Sequence, residues 1–186
     1  RGSGGVEAPA TLGPYDSIDR IDSPPGAPPM NPDDIFLARA IELARQGSQQ
    51  GDGGPFGAVI VHDGRIIGEG WNRVVADKDP SAHAEIAAIR MACAALGQFH
   101  LSGCTLYASS EPCPMCLSAA YWARIARIVF ANSRAEAAAI GFCDDELYDE
   151  LARDCAERRV VMEHRPLPGA LEPMQAWAAN PQRTPY

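Results

Sequence analysis

The chain has 186 residues, 46% of them hydrophobic, which suits one domain with a sizeable core, and it holds no run of 18 apolar residues that would span a membrane. Its formal net charge of −8 leaves no basic stripe of the kind that non-specific nucleic-acid binding needs, while leaving a small-molecule substrate open. Six cysteines are too few for a secreted disulfide scaffold of this size and no secretory leader is expected, so the setting expected is a reducing, cytoplasmic one.

Residues 1–30 are rich in Gly, Pro and Ser and show no apolar period. Such a stretch buries too little surface to offset its ordering entropy, so it is expected to be a disordered extension or an appended leader. The folded domain is expected over 31–186.

Asn31 with Pro32, Asp33 and Asp34 forms a helix start: a side-chain cap, a ring that fits the first position and two charges that suit the positive end. The helix "IFLARAIELARQ" follows, with Ile35, Ala38 and Ile41 as its apolar face, Leu37 and Ala44 beside it, and Gly47 as its stop. A hairpin comes next, with strands at 58–61 and 66–71 joined by Asp63-Gly64. "HAEIAAIRMACAAL" has helical period and ends at Gly97. Then come a strand at 104–109, a short helix "PMCLSAAYWA", a strand at 127–131, the acidic helix "DDELYDELARDCAERR", a last strand "VVMEHRPL" and a terminal helix "LEPMQAWAA". This alternation predicts an α/β fold of three layers: a five-stranded mixed sheet between helices, with a mainly parallel half.

Two short stretches do not fit a purely structural account. His83-x-Glu85 stands where a turn gives way to a helix; alone, it reads as a cap or a solvated pair. Cys113-x-x-Cys116 follows Pro112 at a strand-to-helix turn. Alone, it reads as a redox dithiol, half of a structural zinc site, part of a catalytic zinc site, or two inert buried thiols. Together, H-x-E and P-C-x-x-C form the pattern of zinc-dependent nucleobase deaminases. The chemistry explains the residue types. His83, Cys113 and Cys116 offer one imidazole and two thiolates to a tetrahedral zinc ion and leave a fourth position for water. Two thiolates weaken zinc as a Lewis acid, and the amides of helix N-termini offset this by drawing charge off the sulfurs. Glu85, too close to His83 to be a comfortable fourth ligand, is the carboxylate available to move protons. His62 reads as solvated, and His100 and His164 as surface or satisfied groups. Cys93, Cys104, Cys143 and Cys155 read as plain packing.

On "GGPFGAVIV", "DPSAHAEIAAIR", "EPCPMCLSAAYWAR" and "GFCDDELYDEL", together with "PMQAW" and the terminal Tyr186, the sequence from about residue 31 onward resembles the cytidine-deaminase-like superfamily, and within it the small bacterial guanine deaminases. That resemblance implies zinc on His83, Cys113 and Cys116, with Glu85 as the catalytic residue. It implies Asn72 on the base edge, Asp144 (or Asp145 beside it) reading the purine, and Tyr186 closing over it. Ala84 belongs to the same base-binding set, and Phe56 and Trp122 are candidates for stacking. It also implies a homodimer that exchanges its C-terminal segment, which leaves open whether Asp144 and Tyr186 serve their own site or the partner's. The reaction expected is guanine and water to xanthine and ammonia. The alternatives are guanosine, cytosine or another aminated heterocycle as substrate, a zinc-stabilised binding protein, and a dithiol redox protein. A tRNA substrate is disfavoured by the seven acidic against three basic residues of 144–159.

Overall fold

A computed structural model describes residues 31–185, so the expectations for residues 1–30 and for Tyr186 lie outside the described residues. The first helix, α1 (Pro32–Gln50), starts as expected: the Asn31 side chain accepts from the Asp33 amide. It runs one turn past Gly47 and ends at Gly51, whose φ of 78° is the left-handed cap. Gly47 has another task. A Cβ there would sit 2.2 Å from the Trp71 ring, so the glycine lets the helix lie on that indole. The buried face is also offset from the expected one. Phe36, Ala40, Leu43, Ala44 and Gly47 face inward, while Ile35 is half-buried and Ala38 and Ile41 are exposed. Both faces have helical spacing, and the larger Phe36 and Leu43 decide between them.

The hairpin forms as read: β1 (Gly57–His62) and β2 (Arg65–Trp71) are antiparallel and joined through Asp63 (φ 48°) and Gly64 (φ 73°). Positive φ at both central residues matches the twist of the flanking strands. A single-turn helix, α2 (Val74–Asp77), leads to α3 (Ala84–Leu96), which Gly97 ends. Then follow β3 (Thr105–Ser110), α4 (Pro114–Trp122), β4 (Arg127–Asn132), α5 (Arg134–Ala139), α6 (Asp145–Ala152) and α7 (Glu172–Ala179). The short helices α2 and α5 have too few residues for periodicity to reveal them.

The sheet has four strands, in the order β2-β1-β3-β4, not five. Only β3 and β4 are parallel, so the mainly parallel half reduces to one pair. The expected last strand, 160–167, takes no place in the sheet, and its residues are exposed. A strand exists only where an edge accepts its backbone groups, and within one chain the edge of β4 does not receive this segment.

Side chains alternate along the buried strands. Ala58, Ile60 and Leu106 face α3 and α4, and Val59, Val61 and Tyr107 face α1. The three layers are therefore α1, the sheet, and α3 with α4. The start of α3 lies tightly on β2: a Cβ on Gly70 would come within 2.3 Å of the Ala84 carbonyl oxygen. Among the described residues, no helix is long and apolar enough to cross a membrane, and all six cysteines are free.

Candidate metal centre and base pocket

The helices α3 and α4 begin near one point, and their N-cap residues are His83 and Cys113. Neither side chain caps its helix, unlike Asn31 on α1 and Ser133 on α5. Both turn instead toward a shared centre. The Nδ1 atom of His83 lies 3.6 Å from Cys113 Sγ and 3.5 Å from Cys116 Sγ. In a zinc tetrahedron, bonds of about 2.3 Å to sulfur and 2.0–2.1 Å to nitrogen put those ligand atoms about 3.6 Å apart. The three donors fit the ion with little rearrangement. Among the described residues, no other His, Cys, Asp or Glu joins the set, which leaves a tetrahedral ion one position for water.

The electrostatics agree. The hydrogen bond from Cys116 holds the Cys113 thiol down at about 4, and His83 helps against burial. That same bond, with burial, pushes Cys116 far up. The Cys113 sulfur raises His83 in turn. One proton stays on the pair because a lone thiolate cannot be joined by a second in a buried pocket, and a divalent cation removes that obstacle by releasing protons.

Glu85 lies in the first turn of α3 with 7% of its surface exposed. Burial pushes its carboxyl up, against the pull of its own backbone amide and the Cys116 thiol. Ala84, between the ligand and the carboxylate, has its side chain fully buried in the core, so it offers a pocket only its backbone.

Asn72 follows β2 and is 5% exposed. Its Oδ1 accepts from the amides of Gly54 and Val74, both at 3.2 Å. Its Nδ2 has no partner among the described residues. With the oxygen taken up by two amides, the structure leaves this side chain its donor. The next residue ties it to the metal ligands, since the Arg73 amide donates to the carbonyl of Ala82, just before His83, at 2.9 Å. The Asn72 amide in turn donates to the carbonyl of Phe56. The Phe56 ring meets Phe142 edge to face, with centroids 4.7 Å apart.

Phe142 thus brings the loop before α6 against the Phe56 ring. Asp144, half-buried there, feels the charges of Cys113 and His83 of its own chain, and burial raises its carboxyl. Asp145 is exposed and turns away to Arg134, at 3.1 Å. The structure thus separates the two aspartates that the sequence left as alternatives. Arg134 also stacks on Tyr148 at 4.4 Å, and Tyr148 donates to the carbonyl of Pro112 at 3.4 Å. The Arg134 amide donates to Glu111 at 2.9 Å. Phe142, Glu111, Arg134 and Tyr148 were not singled out in the sequence. Their only signal was a place beside the motif or the acidic run.

Trp122 is not brought to the centre. It stands at the far end of α4, about 12 Å from the first turn, and is 69% exposed beside Phe99 and Ile89. His62 and His100 are both half-buried, and the Nδ1 of His100 is buried without a partner among the described residues. Cys104 is buried and Cys93 half-buried, but Cys143 and Cys155 are exposed, which corrects the expectation that each packs in a core.

The chain matches known proteins on this same framework. A profile of the cytidine and deoxycytidylate deaminase zinc-binding region matches residues 30–132. The guanine deaminase of Bacillus subtilis is 49% identical over 144 residues, covering 77% of this chain and 92% of that protein. The X-ray structure of guanine deaminase from Bacillus subtilis superposes with a TM-score of 0.81 at 47% identity, covering 84% of this chain and 99% of that one. A tRNA-specific adenosine deaminase of Haemophilus influenzae is 39% identical over 139 residues, covering 68% of this chain and 80% of that protein.

Proposed function

Because the chain belongs to the cytidine and deoxycytidylate deaminase family and is a zinc-dependent hydrolytic nucleobase deaminase, we propose that it converts guanine and water to xanthine and ammonia. One observation carries the chemistry: an imidazole and two thiols converge at 3.5–3.6 Å beside a buried carboxyl. His83, Cys113 and Cys116 would hold zinc, which when bound would polarise a water near neutral pH. Glu85 is placed to take one proton from a water attacking C2 and pass it to a ring nitrogen, then to take the second from the hydroxyl so formed and pass it to the departing amine, which leaves as ammonia. Asn72 donates through Nδ2 to an acceptor on the base edge. Asp144 accepts from guanine N1–H and the exocyclic amine. Phe56, fixed by Phe142, flanks the ring.

The likeness to a guanine deaminase over most of both chains supports guanine over adenosine in tRNA, as does the acidic surface of α6. We also propose a homodimer that exchanges its C-terminal segments. The stretch 153–185 exposes Val160, Val161, Met162, Leu167, Met174 and Trp177, a larger apolar surface than a lone chain keeps in water. In that assembly Tyr186 closes one pocket of the pair. A reducing cytoplasm suits free cysteines at a metal centre.

The test is an ammonia-release screen of the zinc-loaded protein over guanine, guanosine, cytosine, cytidine and adenine. Release from guanine well above the rest is expected. Release from guanosine or cytosine instead would replace the substrate, and none from any of them would remove the enzyme reading.

A further inference from the structure

We infer that Asp52 is a positioning residue that aims Asn72 at the base, an inference that rests on the base-binding role proposed for Asn72. The loop Asp52–Phe56 and the residues after β2 form one interlocked unit. The Oδ2 atom of Asp52 accepts from both neighbours of Asn72: the Trp71 indole N–H at 2.7 Å and the Arg73 guanidinium at 2.9 Å. The carbonyl of Asp52 accepts from the amides of Val75 and Ala76 at 3.1 and 3.0 Å, which pins the first turn of α2. Two residues on, the Gly54 amide holds Asn72 Oδ1. Gly53 has no room for a side chain, since a Cβ there would lie 2.1 Å from that same oxygen.

The consequence concerns which atom of Asn72 a substrate meets. An unrestrained carboxamide can turn and present oxygen or nitrogen. Here one carboxylate oxygen holds the side chains on both sides, and the loop that bears it takes up the carboxamide oxygen. Only Nδ2 remains, and the pocket then selects a base with an acceptor at that edge. Arg73 is further braced by Asp77, at 2.8 Å, so the clamp extends into α2. Asp52 touches neither substrate nor metal in this scheme. It acts through Asn72, and that separates it from a residue that only supports the fold.

The experiment compares wild type, Asp52→Asn, Asn72→Ala and the double variant, each zinc-loaded. It follows guanine turnover and, independently, calorimetric binding of xanthine, which keeps the acceptor edge of guanine. Asp52→Asn is expected to lose roughly tenfold to a hundredfold in kcat/KM, mostly through KM, with zinc content unchanged. Added to Asn72→Ala, it is expected to cost less than about threefold more, because a residue that acts through Asn72 has nothing left to aim. Xanthine binding should weaken in the same pattern. Wild-type kinetics in Asp52→Asn, or an equal loss in both backgrounds, would overturn the inference. If Asp52→Asn does not fold, Trp71→Phe removes one of the two donors with little change of shape and carries the same comparison against Asn72→Ala. Wild type that neither turns over guanine nor binds xanthine defeats the substrate reading and this inference with it. Wild type that binds xanthine no better than Asp52→Asn does defeats the inference alone.

Discussion

Glu85 is one of only four buried polar or charged residues among those described, and it is the only one that can carry a full charge. A carboxyl is not kept in such a place for packing, since burial alone raises the cost of its charge. Glu85→Gln keeps the shape and removes the proton acceptor. It is expected to retain about one zinc per chain while turnover falls ~100-fold or more, measured by metal analysis and ammonia release on the same sample. Wild-type turnover in that variant would end the proton-shuttle role. At this scale the centre was legible in the sequence, because each donor type is dictated by zinc chemistry and each spacing by a helix start. The proposed base contacts were less so. Which oxygen or nitrogen Asn72 shows depends on Gly54 and Val74, one of them 18 residues away, and no local pattern carries that information. Asp144 and Asp145 differ only in which way the first turn of α6 faces, and a two-residue acidic run does not say.

Elements place these residues, and one of the tight contacts between elements lies under the metal centre. Gly70 on β2 faces the Ala84 carbonyl at the first turn of α3. Gly70→Ala has to push that turn outward, and it is expected to cost about 1–3 kcal/mol in stability. Because His83 and Glu85 move with the turn, zinc affinity should fall as well, which competition with a chelator measures. A second joint ties α1 to the sheet. Asp33 accepts from Tyr107 at 2.7 Å and from Arg127 on β4. The Arg127 hydrogen bond, with that from Tyr107, holds the Asp33 carboxyl at about 2. A carboxyl whose folded value lies below its unfolded value of about 4 stabilises the fold above that pH, and the contribution fades as pH falls from about 4 toward 2. The gap in denaturation midpoint between wild type and Asp33→Asn should therefore be constant above pH ~5 and shrink below ~4. A gap independent of pH would remove this linkage. The hairpin and α3 were readable because Asp-Gly and Gly97 are local signals. The burial face of α1 was not, because residues 35, 38 and 41 and residues 36, 40 and 43 both keep helical spacing, and only the sheet chooses between them.

At the scale of the whole molecule, the C-terminal segment from residue 153 differs from the rest. From residue 153 to 185 nearly every residue is exposed, apolar ones included, and the segment expected to be a strand pairs with no strand among the described residues. The sequence pattern of 160–167 suggested a strand that the sheet does not contain, because a local pattern does not say whether a partner edge is there to receive it. A particle of twice the chain mass is expected in light scattering, and removing Tyr186 is expected to lower turnover with zinc retained. An unchanged rate would leave the terminus without a role. The two helix starts that lack side-chain caps carry the final consequence. Residues 83 and 113 lie on different layers of connection, one after a hairpin and one after an inner strand, and a single ion joins them. A zinc-starved chain would lose the tie between two helix starts that have no side-chain caps of their own, and depletion should open two protease-sensitive points thirty residues apart at once, protected together when the ion returns. Supply of a trace nutrient then governs how long the polypeptide survives, as well as whether it turns over substrate.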